Sequence, residues 1–301
     1  MTRISVQLDL SEDQRSRISA AAEECDLVWD GTFQRCDVVF GNPEPEELPQ
    51  AADLRWVQLE SVGFGEYLDL DWTTLRGRLT LTNLTGFFAD PVAETALAGI
   101  LALGRGIDRL VRHQTAGHWV GDPIREDLRL LRDAHVVVLG YGAINRRLAE
   151  LLVPFGCKIT QFDSAATPQT IDAALPAADI LVAAVPDTPA TRNLMNDQRL
   201  GLLPPHAVFV NLGRGSLVDE AALADALLSN RLGGAVLDVT NDEPLPMGHA
   251  FWTCPNTILT QHSGGGTTDE LDRKIDYFLS NLTRYRAGQP LTGTIDLTRG
   301  Y

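Results

Sequence analysis

Three side chains that could act together in acid–base chemistry follow predicted strands in the second half of the chain. Arg214 lies in NLGRGSLVDE, Glu243 in VLDVTNDEPL and His262 in TILTQHSGGG. A guanidinium can bind a carboxylate through two parallel hydrogen bonds and polarise a neighbouring carbonyl. A histidine can protonate a developing alkoxide near neutral pH, and a carboxylate can orient its ring. The set therefore suits reduction of the carbonyl group of a 2-keto acid.

A glycine-rich turn that could bind a dinucleotide precedes these residues. The apolar run VVVLG is typical of a parallel strand covered on both faces, and it leads through Gly140 and Gly142 into a predicted helix. Gly140 permits a tight turn, and Gly142 lets the backbone approach a pyrophosphate. The amides at the helix N-terminus, at Ala143 and Ile144, would bind that anion. Asn145 replaces the third glycine of the fingerprint, and we expect this to loosen the contact between helix and strand.

An acidic residue ends the next predicted strand. Asp163 follows Gly142 by about 20 residues, where a carboxylate would accept hydrogen bonds from the adenosine ribose hydroxyls. No Lys or Arg follows Asp163 until Arg192. A 2′-phosphate would therefore face a carboxylate without a local counter-charge, which predicts NAD as cofactor and NADH in preference to NADPH.

The elements that must position these residues alternate between strands and helices along the whole chain, which is typical of parallel α/β sheets. We predict a doubly wound dinucleotide-binding (Rossmann) domain over residues 90–268. Residues 1–89 and 269–301 would form a smaller α/β substrate, or lid, domain. Asp90-Pro91 is expected to cap a buried helix that runs from Val92 to about Leu103.

The composition excludes several classes of protein. The formal net charge of −15 opposes binding to nucleic-acid phosphates. No run of about 18 apolar residues could span a membrane, and no signal peptide is evident. The four cysteines are scattered without a C-x-x-C pair, as in a reduced cytoplasmic protein. The histidines show no metal-ligand spacing, so we expect no metal site.

The order N-x-x-R-G-x-x-V-D-E, then L-D-V-x-x-x-E-P, then T-x-H resembles the D-isomer-specific 2-hydroxyacid dehydrogenase family. The resemblance extends over nearly the whole chain. It implies a flavodoxin-like substrate domain and an NAD-dependent enzyme that passes a hydride between nicotinamide and a small 2-keto or 2-hydroxy acid. Reduction of glyoxylate or hydroxypyruvate is the preferred activity.

The resemblance also implies roles for individual residues. Arg214 would bind substrate, His262 would be the general acid and base, and Glu243 would be the partner of His262. The segment LESVG would be a substrate-carboxylate loop that binds through the amides of Val62 and Gly63. Further cofactor contacts are implied at Val185, Pro186, Thr191, Leu212, Gly213, Asp238, His262 and Gly264.

This sequence departs from the family pattern in places. Gln261 stands where the family usually has proline before the histidine, and the stretch after Asp163 is short, so one strand–helix excursion near the adenine is expected to be missing. By family analogy the cofactor domain forms a homodimer through the Val92 helix and the 114–128 arm, with Trp119 near the partner's active site.

Two alternatives stay open. The first is a non-catalytic member of the fold, similar to the family's corepressors, that senses NAD for a partner protein. The second, within enzymes, is a phosphoglycerate or phosphite specialist.

Overall fold

The fold is seen in a computed structural model that describes residues 1–296. The chain folds into two compact units. The first comprises residues 1–87 and 267–296, and the second comprises residues 88–266. The sequence prediction placed the two boundaries between the units at 89/90 and 268/269. Residues 297–301, which belong to the predicted lid domain, lie outside the described residues.

The first unit contains a five-stranded parallel sheet with helices. Its elements are β1 (Arg3–Val6), α1 (Glu12–Ala21), β2 (Asp26–Val28), β3 (Val38–Phe40), β4 (Trp56–Gln58), α2 (Trp72–Leu75), β5 (Thr80–Thr82) and α9 (Glu270–Arg286). The strands lie in the order β2-β1-β3-β4-β5. This is the order of flavodoxin-like sheets, so the fold class predicted for this part of the chain is confirmed. The short edge strand β2 was not among the predicted strands.

Each face of this sheet is covered by a separate apolar core. On one face, Phe278 of α9 stacks on Phe40 with ring centroids 4.3 Å apart, and Trp56 packs beside them. On the other face, Tyr67 and Trp72 belong to a second buried cluster. Because both faces are covered, strands as short as three residues can be buried completely.

The second unit contains a six-stranded parallel sheet. Its strands are β6 (His135–Leu139), β7 (Lys158–Phe162), β8 (Ile180–Ala183), β9 (Val208–Asn211), β10 (Gly234–Leu237) and β11 (Thr257–Leu259). Its helices are α3 (Ala89–Gly104), α4 (Ile107–Thr115), α5 (Ala143–Leu152), α6 (Pro168–Ala174), α7 (Asp197–Leu200) and α8 (Glu220–Leu228). The strand order is β11-β10-β9-β8-β6-β7. Helices on both faces make this a doubly wound sheet, so the predicted Rossmann fold class is confirmed.

The register of the second sheet places the last residues of all six strands in a single row. Pairing between neighbouring strands links, in order, Phe162, Leu139, Ala183, Asn211, Leu237 and Leu259. All the strands are parallel, so the segments that follow this row emerge together at the carboxyl edge of the sheet. Ligands of open α/β sheets bind at this edge.

The helix predicted from Val92 begins earlier than expected. Phe88 is the N-cap of α3, so Asp90 lies inside the first turn, and its prediction as the cap is wrong. Its carboxylate instead accepts a hydrogen bond from Arg147 Nε of α5 at 2.6 Å. Gly99 of α3 packs against Val236 so closely that an added Cβ would lie 2.6 Å from Cγ1. The helix is therefore a buried layer of this unit, as its apolar sequence predicts.

Helix α4 carries an apolar face that the described residues leave uncovered. Ile107 is 48% exposed and Val111 is 53% exposed, and Trp119 in the following arm is 92% exposed. Ile107 and Val111 lie one helical turn apart, and exposed apolar side chains on one helix face are typical of an interaction surface. None of the helices in the described part of the chain has the length and apolar character needed to cross a membrane.

Candidate active site

The glycine turn after β6 has the geometry of an anion site. Gly140 has a φ of +82°, and a Cβ there would lie 2.5 Å from the carbonyl oxygen of Ala184. Gly142 is the N-cap of α5, no side chain caps that helix, and a Cβ on Gly142 would meet nothing within 4 Å. Open space thus adjoins the unpaired amides at the start of α5, and such amides can bind an anion.

Asn145 has a different effect from the looser contact that the sequence predicted. Its side chain is completely buried, and Nδ2 donates to the carbonyl oxygens of Leu139 at 3.1 Å and Gly140 at 2.7 Å. The amide therefore ties α5 to the end of β6 through hydrogen bonds, where a glycine would allow only close contact.

Asp163 lies at the edge of the sheet, after β7, beside a cavity of about 370 Å³. Its Oδ1 accepts a hydrogen bond from the amide of Ala165 at 2.9 Å. Tyr141 also lines this cavity, and the guanidinium of Arg146 lies 5.8 Å from the centre of the tyrosine ring. Sequence reasoning missed this cation because it considered only residues after Asp163.

Val185 lies where two of the predicted cofactor segments meet. A Cβ on Gly140 would lie 2.6 Å from Val185 Cγ1, and a Cβ on Gly213 would lie 2.7 Å from the Val185 carbonyl oxygen. In the same loop, Thr191 Oγ1 donates to the carbonyl oxygen of Pro186 at 2.6 Å. The turns that follow β6, β8 and β9 are thus in contact, as the register requires.

A buried asparagine holds the turn that carries Arg214. Asn211 Nδ2 donates to the carbonyl oxygen of Arg214 at 2.9 Å, and its Oδ1 accepts from the amide of Gly213 at 3.1 Å. The guanidinium is exposed, and Nη1 donates to the Gly213 carbonyl oxygen at 2.7 Å. The backbone is therefore fixed while the charged group faces outward.

The structure brings His262 and Glu243 into direct contact. His262 Nδ1 and Glu243 Oε2 are 2.6 Å apart, and Glu243 Oε1 accepts a hydrogen bond from the amide of Thr240 at 3.0 Å. Both oxygens of the carboxylate are thus engaged. Nε2 of His262 has no hydrogen-bond partner among residues 1–296, so it is free to exchange a proton with a ligand.

The electrostatics of this pair favour an anionic glutamate. Burial raises the pKa of Glu243. The hydrogen bonds from His262 and the Thr240 amide, with the positive charges of His262 and Arg214, together lower the pKa by more than burial raises it. The resulting pKa lies below the ordinary value of 4.5. Glu243 is therefore a carboxylate at neutral pH and can stabilise a protonated imidazole. The positive charge of Arg214 also lowers the pKa of the Glu243 carboxyl, less than the other causes do.

Asp238 anchors the turn that carries His262. Its carboxylate is almost fully buried, and Oδ1 accepts hydrogen bonds from Thr260 Oγ1 at 2.6 Å and from the Gly264 amide at 3.0 Å. The backbone amide of His262 donates to the Asp238 carbonyl oxygen at 2.6 Å. Sequence reasoning missed the role of Thr260, although its hydroxyl stands two residues before the histidine.

The backbone at this turn is left-handed at two consecutive residues, with a φ of 54° at Gln261 and 55° at His262. Proline is restricted to a φ near −65° and could not occupy position 261 in this conformation. The absence of the family's usual proline at position 261 therefore agrees with the left-handed backbone found there.

A cavity of about 500 Å³ adjoins the His262–Glu243 pair. Most of its walls are apolar. The apolar lining residues are Leu237, Pro244, Leu245, Trp252 and Leu259. Sequence reasoning had no basis for assigning Trp252 to the site, because the residue lies ten positions before the histidine and outside the recognised patterns.

Val62 and Gly63, the predicted substrate-carboxylate residues, lie in the first unit, in the loop after β4. Neither amide has an acceptor among the described residues. In the described part of the chain, no three His, Cys, Asp or Glu side chains converge as metal ligands do.

Known proteins resemble this chain in sequence. The family model described as D-isomer specific 2-hydroxyacid dehydrogenase, NAD binding domain, matches residues 97–264. An uncharacterized protein of Corynebacterium melassecola is 30% identical over 88% of this chain and 90% of its own length. The hydroxyphenylpyruvate reductase of Plectranthus scutellarioides is 32% identical over 70% of this chain and 69% of its own length.

The fold also resembles a solved structure over its full length. The D-isomer specific 2-hydroxyacid dehydrogenase of Xanthobacter autotrophicus Py2, in complex with NADPH and MES, superposes with a TM-score of 0.80 at 26% identity. The match covers 100% of this chain and 99% of that one.

Proposed function

Because this chain belongs to the D-isomer-specific 2-hydroxyacid dehydrogenase family, we propose that it is an NADH-dependent reductase of small 2-keto acids, with glyoxylate or hydroxypyruvate as the preferred substrate. The observation that carries the proposal is the 2.6 Å contact between His262 Nδ1 and Glu243 Oε2. This contact leaves Nε2 free for proton transfer, and the charge of Arg214 acts on the same carboxylate.

Each residue of the set has a separate task in this mechanism. The guanidinium of Arg214 binds the substrate carboxylate and polarises the adjacent keto group. His262 donates a proton from Nε2 to the carbonyl oxygen, and the Glu243 carboxylate stabilises the imidazolium before that transfer. NADH, when bound, supplies the hydride. In the oxidative direction, neutral His262 removes the hydroxyl proton.

The cofactor would be held by residues along the carboxyl edge of the second sheet. We propose that the amides of Ala143 and Ile144 bind the pyrophosphate, and that Asp163 binds the adenosine ribose. The segments 185–191 and 212–213 would lie along the rest of the cofactor, with Asp238 and Gly264 toward its nicotinamide end. The Asp163 carboxylate favours NADH. Arg146, whose guanidinium lies against the ring of Tyr141 at that cavity, is the feature that would lessen the preference, and the related Xanthobacter structure holds NADPH.

We propose further that two copies of this chain form a homodimer through α4 and the arm after it. The support is the exposure of the apolar side chains Ile107 and Val111 on α4 and of Trp119 in the arm. Helix α3, which family analogy also assigns to the contact, uses much of its apolar surface within its own unit. A cytoplasmic location is proposed because all four cysteines are unpaired.

The first prediction concerns substrate and cofactor. Purified protein should oxidise NADH faster than NADPH in the presence of glyoxylate or hydroxypyruvate, and more slowly with pyruvate and with branched or aromatic keto acids. The measurement is the decrease in absorbance at 340 nm across this panel. Cofactor binding without turnover of any acid would favour the NAD sensor, and faster oxidation of NADPH would overturn the cofactor assignment.

The second prediction concerns the proton donor. His262→Ala should lower kcat by about 10²- to 10⁴-fold, because a positioned general acid is lost, while the Kd for NADH stays unchanged. His249→Ala is the matched control, since His249 of the same unit also faces a carboxylate, with Nε2 3.6 Å from Glu220 Oε2. Equal activity of the His262 variant and wild type would remove His262 from the mechanism.

The third prediction concerns substrate binding. Arg214→Lys should raise the KM for the keto acid by about 10- to 100-fold, because lysine keeps the charge but loses the bidentate hydrogen bonds. The control is Arg231→Lys, since Arg231 pairs with Asp225 on the surface of the same unit. A normal KM in the Arg214 variant would show that this guanidinium does not bind the acid.

The fourth prediction concerns assembly. Sedimentation at micromolar concentration should show a dimer, and Val111→Asp should shift it toward monomer because a charge would be buried at the contact. Leu228→Asp, at a 54% exposed leucine of α8, should leave the dimer intact. A monomeric wild-type protein would contradict the proposed interface.

A further inference from the structure

In the loop after β4, the backbone carbonyl oxygens of residues 61–64 are hydrogen-bonded within the described part of the chain and the amides of the same residues are not. Four consecutive carbonyl oxygens accept hydrogen bonds from within the first unit. Ser61 O accepts from the Leu84 amide at 3.0 Å, Gly63 O from Ser61 Oγ at 2.7 Å, and Phe64 O from the Tyr67 amide at 3.0 Å. The fourth is Val62 O, which accepts from Asn83 Nδ2 at 2.7 Å.

The amides of the same four residues have no acceptor among residues 1–296. Val62 is 39% exposed and Gly63 is also exposed, so water or a ligand can reach these groups. Each of the four carbonyl oxygens is thus bonded within the protein, and the amides are the backbone groups of this loop that stay unpaired within the described residues. Free backbone amides can donate hydrogen bonds to an anion such as a carboxylate.

Asn83 is the only side chain from outside the loop that holds one of these four carbonyl oxygens, within the described part of the chain. Asn83 is 3% exposed, and its other polar groups are also hydrogen-bonded. Its Oδ1 accepts from the Thr85 amide at 3.1 Å and from Thr85 Oγ1. Its backbone amide donates to Gly293 O at 2.9 Å. Because a backbone amide faces Oδ1 and a carbonyl oxygen faces Nδ2, the orientation of the side-chain amide is unambiguous.

We propose that Asn83 is a positioning residue that fixes the 61–64 loop so that the Val62 and Gly63 amides bind the substrate carboxylate. This inference rests on the proposed function and adds a residue to it. If Nδ2 is removed, the Val62 carbonyl oxygen loses its donor and the peptide that ends in the Gly63 amide can rotate. The anion site then loses its arrangement although no group that touches the substrate has changed.

The test is the affinity of the enzyme–NADH complex for oxalate, a planar dicarboxylate probe, measured by NADH fluorescence. Asn83→Ala should raise the oxalate Kd and the keto-acid KM by about 10- to 100-fold, because small displacements of positioning groups have effects of that size. The Kd for NADH should stay unchanged, and kcat at saturating keto acid should fall less than kcat/KM.

The matched control is Asn281→Ala. Asn281 is equally buried in the same unit, and its Nδ2 donates to Gln58 Oε1 at 2.8 Å and to Thr292 O at 2.9 Å, with no hydrogen bond to residues 61–64. This variant should lose stability and keep the wild-type oxalate Kd. If Asn83→Ala does not fold, Thr85→Val removes only the hydroxyl bond to Asn83 and should raise the oxalate Kd by about 2- to 10-fold.

Two results would overturn the inference while leaving the proposed function intact. One is an unchanged oxalate Kd in a folded Asn83→Ala variant of an active enzyme. The other is an equal rise in Asn281→Ala, which would mean a general loss of stability. A wild-type protein that binds no oxalate and reduces no keto acid would instead contradict the proposed function itself.

Discussion

The parallel register of the second sheet is the constraint on which the candidate site depends. Six strands end in one row, from Phe162 at one edge to Leu259 at the other. The segments that follow must therefore emerge side by side, whatever their sequences. A slip of one residue in any pair would turn that strand's side chains to the opposite face of the sheet, where they would meet the wrong core. The apolar packing that fixes the register thus also fixes where chemistry can occur.

Hydrogen bonds from buried polar side chains then convert that coarse alignment into defined geometry. Asn211 and Asp238 lie at or just after the end of a strand, and Asn145 lies in the first turn of α5. All three are almost fully buried and bond to backbone groups of the adjoining turn. Such groups are costly to leave unpaired, so each one strongly restricts the turn that it contacts. The pattern is the same in the first unit, where Asn83 restricts the loop after β4. The side chains proposed to act on the substrate, Arg214 and His262, are more exposed, and these buried groups fix the backbone that carries them.

Sequence reasoning predicted the layers of both sheets, because apolar runs and glycine turns report directly on strands and on close backbone approaches. It also identified His262 and Glu243 as partners from their residue types and their order in the chain, and the two side chains are in contact. It failed where the outcome depends on tertiary partners. The effect of Asn145 follows from which carbonyl oxygens it reaches, and the start of α3 at Ala89 follows from packing that overrides a local cap signal. Arg146 was missed because only residues after Asp163 were considered, whereas Arg146 contacts the ring of Tyr141, which lines the cavity beside Asp163.

The left-handed pair at Gln261 and His262 has a consequence for protein engineering. Each non-glycine residue in this conformation costs about 1–3 kcal/mol, and here the hydrogen bonds that Asp238 accepts from Thr260, His262 and Gly264 offset that cost. Chimeras that exchange whole segments with relatives should therefore not be joined within this turn. A donor segment with proline at position 261 would need a different chain path into the histidine. Residues 238 and 260–264 are best transferred together, as one unit of backbone and anchor.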